Sequence, residues 1–351
     1  MTDSGRLVVY GATGSTGRRV TEVAAAAGLE PVLAGRRRDA LESMAAPHGL
    51  EVRVADLEPA ALDSALEAAG VVVSCAGPYS LIGRPVADAA VRAGAHYVDF
   101  SGEPRWVQGL IDEVDRPARA AGTAIVPAVG GSTVGDLAAQ LAARSLPRVE
   151  AITVGLRIVG MRPSSASIRS SVELVAGGAP VVDARVRRFE KAGGRTRDLP
   201  GGPGALFPSP DALLLGRVWP EAHCETYMQF PAFRFTGPAF AAAASGLSQP
   251  SILALTRRAL AAARRPLSRL RGSGGRVVAT AVAQGGGERS VARAFSDGIY
   301  DLTAVAAGVA IQHLLSADEP PSGVRSWGEV TGKAEAAAAE AGVRLTGPTL
   351  D

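Results

Sequence analysis

Lysine is almost missing from this 351-residue chain: Lys191 and Lys333 are the only two, and every other cationic side chain is an arginine. The formal net charge is nevertheless only +3, too small for the basic footprint of a nucleic-acid binder, and no such partner is expected. Cysteine is scarce as well. Cys75 and Cys224 lie far apart in unlike contexts, which excludes a disulfide framework and a cysteine-rich metal centre. The four histidines, His48, His96, His223 and His313, have no spacing that turns two of them toward one zinc ion, so no metal is expected. No uninterrupted apolar run approaches the roughly 20 residues of a bilayer span. The opening MTDSGRLVVYGATG also lacks the basic start and long apolar segment of a secretory signal. A soluble cytoplasmic protein that is not transmembrane is the expectation.

What is abundant is apolar sequence, 47% of the residues, in a chain long enough for two domains at roughly 150 residues each. From Arg6 onward one unit repeats: a β-branched run, a glycine-containing turn, then an alanine-rich segment ending in glycine. RLVVYG, PVLAGR, LEVRVADL, VVVSCAG, HYVDFSGE and AIVPAVGG each begin such a unit. Six nearly continuous apolar strands separated by helices predict an α/β fold, a doubly wound parallel sheet covered on both faces.

The first turn, GATGSTG, stands where a dinucleotide's pyrophosphate binds in such a fold. Gly11 permits the tight turn, Gly14 lets the backbone approach the anion, and Gly17 lets the helix pack closely on the strand. Thr13, Ser15 and Thr16 complete the loop, and the helix start adds free N–H groups and positive dipole. The second strand ends in LAGRRRDAL. An NAD site usually has Asp or Glu here to hold the ribose hydroxyls, whereas Arg36 and Arg37 suit a 2′-phosphate. NADP(H) is therefore the expected cofactor. Asp56, ending the third strand, is either an acceptor for the adenine amino group or a plain helix cap.

Together, GATGSTGRRV, LAGRRRDALE, VVSCAGPYSLIGRPVADAAVRAGAHYVDFSGE and SDGIYDLTAVAAGVAIQHLL resemble the saccharopine dehydrogenase-like oxidoreductases. The likeness is greatest to the bacterial branch that includes trans-acting enoyl reductases. It is dense over residues 6 to 137, sparse from about 150 to 290, and returns over 297 to 330. The resemblance implies a Rossmann domain over 1–135, a mixed α/β substrate domain over 136–296, and a C-terminal helical segment over 297–351 that packs back on the first domain. The chain departs from the family at Gly130, where GGSTVGDLAA replaces a segment like GFDSVPSDL and leaves Asp136 as the match to its final acid.

Ligands in an open α/β sheet lie beyond the carboxyl ends of the strands. Cys75, Ala76, Gly77 and Pro78, in the turn after the fourth strand, are expected beside the nicotinamide. Tyr79 then either contacts the substrate and gives it a proton or supports the turn. Asp99 is the second catalytic candidate, as a group orienting the cofactor amide or a substrate amine. Ser101, Gly130 and Gly131 are substrate-side candidates, although Ser101 and Glu103 equally suit caps for a helix beginning at Pro104. Ser165 and Ser167 match small hydroxyl residues that open a cleft-facing helix in the family, with N-capping as the alternative. None of the tyrosines has a lysine four residues on, so short-chain-dehydrogenase carbonyl chemistry is disfavoured. Hydride transfer to a polarised C=C or C=N bond is what remains.

Between Glu225 and Glu288 there is no acid, yet Arg257, Arg258, Arg264, Arg265, Arg269 and Arg271 cluster there. The first four fall on one helix face opposite Ile252, Leu255 and Ala259. The segment is either a solvated face or a dock for an acyl carrier protein, a CoA moiety or a membrane surface. The sequence thus predicts an NADPH-dependent reductase of a small-molecule or carrier-bound enoyl or imine, with a homodimer left open. A saccharopine-type secondary-amine dehydrogenase and a non-catalytic NADP(H)-binding partner protein are the alternatives.

Overall fold

Valine-rich runs form parallel strands, and the alanine-rich segments between them form helices, in the computed structural model of the chain. It describes residues 5–163, 165–230, 232–263 and 274–350, apart from the side chains of Ser165, Ala166 and Arg234. Arg264, Arg265, Arg269 and Arg271 lie outside the described residues. The chain divides into two units, Met1–Ser101 with Gln108–Gly130 and Thr303–Gly332, and Gly102–Val107 with Gly131–Leu302 and Lys333–Asp351.

The first unit is built on β1 (Arg6–Tyr10), β2 (Val32–Gly35), β3 (Val52–Val54), β4 (Ala69–Ser74), β5 (His96–Asp99), β6 (Ala124–Val126) and β15 (Gly323–Val324). All pairings are parallel, in the order β15-β6-β5-β4-β1-β2-β3. This is the doubly wound topology, and its strand order reverses between β1 and β4. Val8, Val9, Val71, Val72, Val73 and Val98 are fully buried, which explains why these strands read as continuous rather than alternating apolar runs.

The second unit carries β7 (Ala151–Val159), β8 (Ala179–Asp183), β9 (Val186–Glu190), β10 (Thr196–Leu199), β11 (Gly202–Leu206), β12 (His223–Met228), β13 (Arg276–Gly285), β14 (Glu288–Asp297) and β16 (Arg344–Leu350). Its main order is β10-β11-β12-β7-β13-β14-β16, with the β8–β9 hairpin joined to β12. Only β12 and β7 pair in parallel, so the sheet is mixed.

Two expectations change. The segment PVVDARVRRFEKA, whose sequence by itself reads as one continuous strand of the second domain, folds back on itself because Ala184 and Arg185 adopt φ of 43° and 74° and turn β8 into β9. The C-terminal segment does not stay together: Thr303–Gly332 belongs to the first unit, where β15 extends the sheet, whereas β16 pairs antiparallel with β14 in the second. The helix Ile299–Ser316 is long and apolar enough to cross a membrane by length and composition, although polar residues interrupt its apolar run. Its Ala306, Ala307, Ala310 and Ile311 are fully buried, and Trp327 Nε1 donates to the Ala306 carbonyl at 2.8 Å. These contacts make its Thr303–Ser316 stretch part of the core of the first unit.

Candidate dinucleotide site

Gly11 leaves β1 with φ +78°, and its N–H donates to the Ala34 carbonyl at 2.8 Å. A Cβ on Gly11 would come within 3.1 Å of the Ala76 nitrogen, so the turns after β1 and β4 touch backbone to backbone. On Gly17 a Cβ would sit 2.6 Å from the Gly11 carbonyl oxygen and 2.7 Å from Ala12 Cα. That approach seats the helix Ser15–Ala26 directly on the turn. Gly14 is its N-cap in extended conformation, without a side-chain cap, and the first turn carries no acid. The leading N–H groups of Ser15, Thr16 and Gly17 have no intrahelical acceptor, and Gly14 and Ser15 are exposed. A narrow cradle of amides with no competing carboxylate fits a pyrophosphate.

Past the end of β2, Arg36, Arg37 and Arg38 are all exposed. Arg37 Nη2 donates to Thr13 Oγ1 at 2.8 Å, tying the arginine run to the glycine turn. Arg38 pairs instead with Glu42 on its own helix. Asp56 Oδ1 accepts the Glu58 N–H at 3.0 Å, a turn ahead of the helix Pro59–Ala65, whose N-cap is Glu58 and not Asp56. Tyr10, not singled out from the sequence, donates to the Asp56 carbonyl at 3.2 Å and so fixes the turn after β3. Burial pushes its phenol pKa up, against the pull of Arg36.

The turn after β4 holds Cys75, Ala76, Gly77 and Pro78. Its first N–H, on Cys75, donates to the Tyr10 carbonyl at 2.8 Å. Burial, with Asp99 nearby, pushes the Cys75 thiol far up, so it stays protonated. Tyr79 is 6% exposed; its hydroxyl donates to the Ser74 carbonyl at 2.9 Å and accepts the Phe100 N–H at 3.4 Å. Asp99 is fully buried, and its Oδ1 accepts from the Ser101 N–H at 2.9 Å, the Ser101 hydroxyl at 2.6 Å and the Ala128 N–H at 3.0 Å. Ala128 has φ 62°, a left-handed conformation that this bond helps hold.

Neither side chain expected at the reaction is therefore presented to solvent. Both brace the turns after β4, β5 and β6. Ser101 spends its hydroxyl on Asp99 rather than on capping, and at Pro104, where a helix does start, the Glu103 carbonyl accepts the Trp106 N–H at 3.1 Å. Gly130 has φ +108°, and a Cβ there would sit 2.5 Å from Thr303 Oγ1. Among the described residues, nothing lies within 4 Å of a Cβ on Gly131.

In the second unit the helix Ser165–Ala176 begins where expected, and Ser167 Oγ lies 3.0 Å from the Tyr300 hydroxyl. Two clusters were not assembled from the sequence, although Asp136 was singled out there. Asp136 accepts from Gln140 Nε2 at 3.0 Å, and nearby Asp211 is 2% exposed and accepts from Ser209 Oγ. Burial pushes the Asp211 carboxyl up to about 7 against the Ser209 bond, with the charge of Asp136 adding to the rise. Glu225 is 1% exposed and receives Arg195, Arg197 Nη1 at 3.0 Å, His223 Nε2 at 3.0 Å and the Tyr227 hydroxyl at 2.9 Å. Burial opposes its ionisation, but the bonds from His223 and Tyr227 and the neighbouring positive charges hold the carboxyl at about 2. His223, Glu225 and Tyr227 alternate along β12 and so share one face, a spacing the sequence does show, whereas Arg195 and Arg197 reach them from the β10 segment and Asp136 and Asp211 stand on different helices. Among the described residues no group of His, Cys, Asp and Glu could hold a metal ion.

Fold and cradle together define the first unit as a dinucleotide-binding domain of the kind oxidoreductases use, with arginines where an NAD domain carries an acid. Residues 7–126 match the Saccharopine dehydrogenase NADP binding domain, so this part of the chain belongs to that domain family and its cofactor is NADP(H). The chain is 34% identical over 142 residues to a lipid droplet localized protein of Caenorhabditis elegans, covering 36% of this chain and 33% of that one. It is 33% identical over 136 residues to a trans-acting enoyl reductase of Mycobacterium leprae, covering 36% and 32%. These matches span about a third of each relative. Apo saccharopine dehydrogenase (L-Glu forming) from Saccharomyces cerevisiae shares the fold over 99% of this chain and 100% of its own, with TM-score 0.59 and 13% identity.

Proposed function

We propose that this protein is an NADPH-dependent reductase that delivers hydride to a polarised C=C or C=N bond of an acyl or specialised-metabolite substrate, free or carrier-bound. The observation that carries the reading is the exposed Arg36–Arg37 pair, with Arg37 anchored to Thr13, beside an amide cradle whose first helical turn holds no acid. NADPH supplies the hydride, and the protein's task is to hold it. The amides of Ser15, Thr16 and Gly17 bind the pyrophosphate, and Arg36 with Arg37 binds the 2′-phosphate. Tyr79 and Asp99 act as positioning residues: by fixing the turns after β4, β5 and β6 they set the backbone path beside the nicotinamide. The trans-acting enoyl reductase relative makes an enoyl group the favoured acceptor, and the cytoplasm is the compartment we propose.

Fluorescence titration tests the cofactor reading. Arg36→Ala should weaken NADPH about 10-fold to 100-fold, the worth of a charge-assisted bond, and leave NADH nearly unchanged; equal losses would place the 2′-phosphate elsewhere. NADPH oxidation with a panel of enoyl and imine substrates tests the reaction. Amine-dependent reduction of NADP+ at high pH would instead favour the saccharopine-type dehydrogenase. The commitment of Tyr79 and Asp99 to backbone groups favours one further reading, a non-catalytic NADP(H)-binding partner protein, which predicts tight cofactor binding with no turnover on any of these substrates.

A further inference from the structure

We infer that the helix pair Phe233–Leu247 and Pro250–Ala262 docks the protein on an anionic lipid surface. Both helices belong to the second unit and pack on each other and on the helix Ser165–Ala176. The inward side of the first helix is clear: Phe240 stacks at 5.1 Å on Phe230 and 6.0 Å on Phe207, and Ala241 Cα would be 2.7 Å from a Cβ on Gly193. In the second helix Arg257 reaches Glu173 with two bonds of 2.8 and 2.5 Å, and Leu253 and Leu260 are half-buried on that side. Arg257 therefore anchors the helix and is no part of a free basic face, contrary to the reading from sequence.

Those anchors fix what faces away. At 100° per residue, Phe235, Ala239 and Ala242 share the outward side of the first helix, and Ile252, Leu255, Ala259 and Ala262 that of the second. All seven are exposed, with Phe235 at 66%, Leu255 at 68% and Ile252 at 39%. The helix Pro250–Ala262 has no buried residue at all. Three of the eight large apolar side chains exposed among the described residues thus fall on one helix pair, a clustering that marks an interaction surface.

Charge chooses the partner. From Thr226 to Gly287 the sequence has no acid and eight arginines, of which Arg257 is paired with Glu173 and Arg276 with Asp297, although the whole chain carries only +3. Exposed Arg258 flanks the apolar stripe, and Arg264, Arg265, Arg269 and Arg271 follow directly in sequence. An outward stripe of one Phe, one Leu and one Ile among small alanines, bordered by arginine, matches the interfacial helix that lays an apolar face among acyl chains and its cations among headgroup phosphates. An acidic protein partner would pair with the arginines but would leave the stripe uncovered.

The test is flotation of the full-length protein with vesicles of phosphatidylcholine alone or mixed with phosphatidylglycerol. The protein should bind the mixed vesicles, bind the neutral ones much less, and be released as salt rises. Phe235→Glu with Leu255→Glu should lower the bound fraction about tenfold or more, and Arg258→Glu about fivefold on the anionic vesicles only. NADPH titration and thermal unfolding of the same variants should match the parent, which separates this proposal from the cofactor reading. No binding to either vesicle, equal binding to both, binding untouched by the double variant, or capture by an acyl carrier protein in place of vesicles would overturn it.

Discussion

A single methyl group on Gly17 would have to occupy space 2.6 Å from the Gly11 carbonyl oxygen and 2.7 Å from the Cα and carbonyl oxygen of Ala12. Gly17→Ala should therefore push the helix Ser15–Ala26 off the turn, costing about 1–3 kcal/mol together with most of the NADPH affinity. Denaturant unfolding and cofactor titration measure the two losses. Tyr79 calls for a different experiment. Its hydroxyl bridges the Ser74 carbonyl and the Phe100 N–H under cover, so Tyr79→Phe should lower stability by about 1–3 kcal/mol. A loss of turnover with unchanged melting would return the phenol to the substrate. The glycine turn was legible in sequence because each glycine answers a local backbone demand. Asp99 was legible only as a candidate, since its partner Ala128 is brought in by the turn after another strand.

Among elements, the parallel strands were legible because burial on both faces writes itself as valine runs. The β8–β9 hairpin was hidden because its turn lacks turn residues. Ala184 and Arg185 both hold positive φ, where an Asn-Gly pair is the natural occupant, and each pays about 1–2 kcal/mol for it. Replacing Ala184→Asn and Arg185→Gly together should raise stability by about 1–2 kcal/mol and the melting temperature by about 2–8 °C, which calorimetry can read. The Arg185–Glu221 pair lost in the change is exposed on both sides and contributes little. β10 and β11 escaped notice for a related reason: LPGGPG at their junction reads as loop, and only pairing in the sheet makes its flanks strands.

At the scale of the whole molecule, two buried carboxyls give opposite pH responses. Asp211 is held protonated up to about 7 in the fold, against an ordinary 3.8 when unfolded. The unfolded chain thus loses that proton first, and this carboxyl's contribution to stability falls as pH rises through that window. Asp211→Asn should flatten the decline in a series of urea melts from pH 4 to 8. Glu225, held at about 2, contributes fully above its ordinary 4.5 and loses that contribution only as pH falls toward 2. The Asp211 response is not visible in composition, because Asp136, whose charge adds to it, lies 75 positions away in sequence.

The strand β15 has a consequence in time. Ala124 and Ile125 of β6 pair with Gly323 and Val324, and Asp115 Oδ1 accepts the Val324 N–H at 2.7 Å. On a ribosome adding about 5–20 residues per second, β6 is made well before its neighbour, which follows nearly 200 residues later. For on the order of 10–40 s the nascent domain has an open sheet edge of the kind that invites wrong pairing. A fragment of residues 1–135 keeps that edge open permanently, and light scattering should find it aggregating under conditions in which the full chain stays dispersed. During synthesis, then, the nucleotide domain starts before the second unit and is completed only after most of that unit has been made. A holdase on the nascent chain should improve its yield more than any later refolding step.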